Sequence, residues 1–138
     1  MTVRRPTDLK PPPGWLFLLR LLAWEHVTLG TLSFVGGALL FVAPPEDAPP
    51  IVLAPLYLAA GGALVVAGAG MLSYRPWGRT LALALALLIG GLSIAPTVVG
   101  WLIGGPAAPP NPIPMAHALL TVGLLTRGQI RRVFGLAF

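Results

Sequence analysis

Apolar residues fill four stretches of this chain, and the polar residues collect in the gaps between them. The stretches run over about residues 15–43, 51–73, 80–103 and 113–133. A bilayer core about 30 Å thick is crossed by about 20 apolar residues in a helix. The pattern therefore predicts an all-α integral membrane protein, an antiparallel bundle of four transmembrane helices forming a single domain.

The gaps support that division. Pro44-Pro45-Glu46-Asp47-Ala48-Pro49-Pro50 stops the first span, and residues 104–112 are rich in Pro, Gly and Ala. Between the second and third spans lies Tyr74-Arg75-Pro76-Trp77-Gly78-Arg79. So short a link makes its two helices antiparallel neighbours. Pro11-Pro12-Pro13-Gly14 blocks helix before Trp15, because proline fixes φ and lacks a backbone donor. Pro96 predicts a kink in the third span. The fourth span is free of charge only over residues 113–126, so reaching residue 133 requires Arg127, Arg131 and Arg132 to snorkel. Alternatively the tail is an amphipathic surface helix, with Ile130, Val133, Phe134 and Ala137 opposite those arginines.

Charge orients the pattern. All nine basic residues lie on one side of it: Arg4, Arg5, Lys10, Arg20, Arg75, Arg79, Arg127, Arg131 and Arg132. The two connections at residues 44–50 and 104–112 carry none. Cytoplasmic loops are enriched in Lys and Arg, so both termini are expected inside, with the protein in a bacterial inner membrane. The first apolar run is longer than a signal peptide's h-region of about 7–15 residues and reads as a retained helix. A charged share of 9% is far below the quarter or so typical of soluble domains. The net charge of +5 is accounted for by orientation and by anionic lipid at the inner face, which leaves no case for nucleic acid. The chain has no Cys, which removes thiolate metal sites and Cys nucleophiles.

In lipid, small residues let helix backbones approach and so mark packing faces. Four such stripes are present: His26, Gly30, Ser33 and Gly37; Ala59, Ala63, Ala67 and Gly70; Ala82, Ala86, Gly90, Ser93 and Thr97; and His117, Thr121 and Gly128.

Candidate chemistry is sparse. Glu25 and His26 are the only adjacent titratable pair within a span, and an ionisable group there is by default a functional hypothesis. The pair offers a proton relay, a hold on a quinone head group or a cation site. Its structural alternative is an ion pair between Glu25 and an inner-face ring of Arg20, Arg75, Arg79 and Arg127. His117 is expected near the outer end of the fourth span and His26 near the inner end of the first, too far apart in depth to share a ligand. Neither a metal cluster nor a catalytic triad is visible, and no cofactor is expected.

Two short likenesses bear on these residues. Ala116-His117-Ala118-Leu119-Leu120 resembles the His-Ala-x-Leu-Leu stretch of bacterial light-harvesting polypeptides over five residues, which implies pigment ligation by His117. Ala23-Trp24-Glu25 ahead of Gly30-Thr31-Leu32 is loosely similar to the glutamate and Gly-Thr pair of the small multidrug-resistance transporters, with a different spacing. The functional expectation is a non-enzymatic accessory or scaffold subunit of a larger membrane complex, partnered by other membrane subunits or by copies of itself. The alternative is a small transporter or lipophilic-ligand binder (quinone or pigment) using Glu25 and His26.

Overall fold

A computed structural model describes residues 13–43, 53–105 and 109–135. The expectations for Arg4, Arg5, Lys10, the 44–50 connection and Ala137 lie outside the described residues. Among those described, the chain is helical with no strand: α1 Pro13–Val42, α2 Leu53–Leu72, α3 Pro76–Leu102, α4 Pro112–Leu125 and α5 Gly128–Val133. The first three are long and apolar enough to cross a membrane, whereas α4, with 14 residues, is a shorter apolar helix.

Prolines start these helices where the sequence pattern expected them to block. Pro76 and Pro112 each occupy a first helical position, where a missing N–H costs nothing and a fixed φ is already helical. The third helix therefore begins at Pro76, four residues before the expected start. It runs on through Pro96 without interruption.

The turn between α2 and α3 is correspondingly tight. The N–H of Arg75 donates to the Gly70 carbonyl and that of Tyr74 to Met71. Tyr74 sits at φ 53°, the left-handed position that normally selects glycine at a helix C-terminus. Its phenolic oxygen accepts from Nε of Arg20, 3.2 Å away on α1.

Helix α1 packs along α2 by direct backbone contact. A Cβ built on Gly30 would lie 2.7 Å from the Gly61 carbonyl oxygen, and one on Gly68 2.7 Å from that of Ala23. The expected α1 stripe is on this face, with His26, Gly30 and Gly37 buried. Much of the α3 stripe, Ala82, Ala86 and Gly90, is buried as well. The α2 stripe holds only in its second half, where Ala67 and Gly70 are buried. Ala59 is exposed and Ala63 half-buried, with Ala54, Gly61, Leu64 and Gly68 buried beside them. Helix α2 has small residues on several faces, so small size alone does not mark the packed one.

The fourth apolar stretch is not one helix. It ends at Leu125, and Arg127 turns extended (φ −60°, ψ 133°) before α5. Gly128 thus belongs to α5 and not to the α4 packing face. The apolar side of α5 faces the other helices: Ile130 and Phe134 are buried with Leu19, Leu22, Met71 and Leu125. This core lies at the arginine-rich end.

Candidate ligand site in the seam between α1 and α4

Two contacts fix the depth of α4. Nε of Arg79, in the first turn of α3, donates to the Leu125 carbonyl at 2.8 Å. Two turns earlier, Ala118 meets Gly90 of α3, 3.0 Å from where a Cβ would stand. Fourteen residues rise only about 21 Å, so α4 starts well short of the far end of α3, which is 27 residues long. His117, the sixth residue of α4, is thereby carried to the level of Glu25 and His26. This corrects the expected depth separation of the two histidines. The expectation assumed that α4 spans the full height.

The outcome is one polar cluster. Nδ1 of His117 is 2.8 Å from Oε1 of Glu25. An ionised carboxylate only accepts, so the ring nitrogen carries the hydrogen. The rings of His117 and His26 are 5.0 Å apart between centroids and tilted by 43°. Nδ1 of His26 lies 2.9 Å from the Leu22 carbonyl oxygen. A carbonyl cannot donate, so this nitrogen also bears its hydrogen, and Nε2 of the neutral ring is left as an acceptor.

Burial differs sharply across the cluster. His26 is 0% exposed, whereas the side chain of Glu25 is 43% exposed and that of His117 12%. Glu25 thus stands at the open edge of the seam and His26 at its floor. Nε2 of His26 and Oγ1 of Thr121 are both buried without a hydrogen-bond partner. Thr121 lies one turn beyond His117 on the same strip of α4.

Among the described residues Glu25 pairs with His117 and with no arginine, contrary to the structural alternative drawn from the sequence. Arg20 and Glu25 are five residues apart, about 140° around the helix, and cannot face each other. Arg20 engages Tyr74, Arg79 engages Leu125, and Arg127 lies over the Trp15 ring, 5.9 Å from its centroid. Of the predicted ring, Arg79 thus takes a helix-end carbonyl, Arg127 lies over an aromatic ring and Arg20 meets a phenol oxygen. His117 and Glu25 are brought together by α4's position, and Thr121 is the residue that the sequence placed only in a packing stripe.

The donor set suits hydrogen bonding to an oxygen-bearing group. Among the described residues no cluster of three His, Cys, Asp or Glu has the arrangement to hold a metal ion. Comparisons with protein-family models, with characterised proteins and with solved structures give no match.

Proposed function

We propose that this chain is a small non-enzymatic integral protein of the bacterial inner membrane that binds the polar head of a lipophilic molecule in the α1–α4 seam. In this reading α1, α2 and α3 cross the bilayer and α4 enters from the outer side, completing a four-helix membrane bundle. Both termini are cytoplasmic, because the arginines cluster at one end. The observation that carries the reading is the Glu25–His117–His26 cluster. It holds a carboxylate at the edge of the bundle and an unpaired imidazole nitrogen at its centre. Such groups are expensive in lipid and mark sites of function. A head group of the quinone type in its hydroquinone form, whose hydroxyl can donate to the imidazole nitrogen, enters sideways from the bilayer.

The test is purification in mild detergent, followed by a mass spectrum and an absorbance spectrum of the intact complex. A small lipophilic molecule is expected with the wild-type chain, and its loss is expected from Glu25→Gln, which still inserts. Wild-type protein that is colourless and free of any such molecule refutes the reading.

A second reading, an accessory or scaffold subunit, draws on a separate observation. Because α4 is short, Leu92, Val98, Val99 and Trp101 on the far half of α3 are exposed. A neighbouring membrane subunit or a second copy would cover them. The same mass spectrum tests this: a polypeptide at fixed stoichiometry, or a dimer, supports it, and a lipid-only monomer opposes it.

A further inference from the structure

Thr121 is fully buried, yet its hydroxyl has no hydrogen-bond partner. In a helix interior a threonine or serine hydroxyl ordinarily returns to the carbonyl one turn back. Thr31, Thr80, Ser93 and Thr126 do so here, donating to Val27, Pro76, Ile89 and Val122 at 2.7–3.2 Å. Thr121 has the same option at His117 and does not take it. Facing the same seam, Nε2 of His26 is an equally buried acceptor with no donor. A buried polar group without a partner is costly. Thr121 stands one turn along α4 from His117, whose ring centroid is 5.0 Å from that of His26, so the two orphans form a matched pair. One can donate and the other can only accept.

We propose that His26 Nε2 and the Thr121 hydroxyl together hold one O–H group, which donates to the imidazole and accepts from the threonine. Two sources share this chemistry: a single water molecule, and the hydroxyl head of a lipophilic phenol or hydroquinone. The niche lies behind the Glu25–His117 pair, so that pair is its entrance. The inference rests on the ligand-site reading of the cluster and names the group at its floor.

The experiment uses the full chain in lipid nanodiscs, with Thr121→Val as the near-isosteric probe and Thr121→Ser as the control that keeps the hydroxyl. Thr121→Val is expected to lower the thermal midpoint by a few degrees and to move the 15N shift of His26 Nε2. The Ser variant stays near wild type, and the thermal effect disappears in a His26→Met background. A Thr121→Val variant that is as stable as wild type or more so, with an unchanged Nε2 shift, overturns the proposal. Should His26→Met fail to fold, the Nε2 shift in Thr121→Val decides alone. Titration with a lipid-soluble hydroquinone separates the sources. A saturable rise in the midpoint of wild type, absent in Thr121→Val, assigns the lipophilic hydroxyl, and no response assigns water. Loss of a bound molecule in Glu25→Gln with no Thr121–His26 coupling would sink the niche and spare the broader reading. Coupling without any lipophilic ligand would do the reverse.

Discussion

Glu25 and His117 are 92 positions apart in the chain and 2.8 Å apart in space. Theirs is the polar contact that ties α4 to α1, two helices that otherwise meet only locally. It also explains how the sole acidic side chain among the described residues is accommodated in an apolar helix.

Removing either partner should loosen α4 more than α1. A hydrogen bond to a charged group contributes about 1.5–3 kcal/mol, and the partial exposure of Glu25 places this one near the lower end or below. Glu25→Leu and His117→Leu are each expected to lower stability by about 1 kcal/mol. The double variant should cost less than the sum, because the two share one interaction. Equilibrium unfolding in mixed micelles reads the three values, and strict additivity would show that the contact contributes nothing.

The α1–α2 interface offers a sharper contrast between adjacent glycines. A Cβ on Gly61 would stand 2.5 Å from the Phe34 backbone nitrogen, whereas one on Gly62 would meet nothing within 4 Å. Gly61→Ala must push two backbones apart, for a loss of about 1–3 kcal/mol. Gly62→Ala should be neutral or stabilising by up to about 1 kcal/mol, from helix propensity alone. Gly37 and Gly36 repeat the pair on α1, with Gly37 against Leu58 and Gly36 open. Equal effects at Gly61 and Gly62 would contradict the packing described.

These contrasts show where the sequence was legible. The three long helices and the α2–α3 turn follow from apolar run length and from Pro76, both local signals. The packing face of α1 could be read because Ala23, Gly30 and Gly37 recur on one side of it. That of α2 was read only in its second half, at Ala67 and Gly70, because Ala59, Gly61, Gly62 and Ala63 surround its first half. The site was missed for a reason of length. His117 was placed near one end of a full crossing, but Leu125 ends α4 and its carbonyl is held by Arg79. The depth of His117 is therefore set by a contact 46 positions long in sequence, which no local pattern carries.

Arg79 should accordingly control the joint between α4 and α5. Its Nε takes a carbonyl that the end of α4 leaves without an intrahelical partner. Arg79→Leu is expected to cost about 1–3 kcal/mol and to raise hydrogen exchange at Thr126, Arg127 and Ile130. Arg79→Lys, which retains a charged donor, should recover part of the loss. Exchange that rises uniformly along the chain would point to global destabilisation and against a local cap.

The proposed orientation can be read with single cysteines, since the chain has none of its own. Ala43 and Gly104 lie past the ends of α1 and α3, and Gly135 lies past α5. With both termini inside, Ala43→Cys and Gly104→Cys should react with a membrane-impermeant maleimide on intact cells. Gly135→Cys should react only after the membrane is opened. The basic side chains that set this arrangement act near the ends of spans. Neutralising Arg75 and Arg79 together removes the charge from the α2–α3 turn and should leave a fraction of chains inverted, with Gly135→Cys labelled from outside. Labelling of Gly135→Cys on intact cells in the otherwise unmodified chain would reverse the assignment. It would also place the entrance to the Glu25–His117 cluster nearer the opposite leaflet.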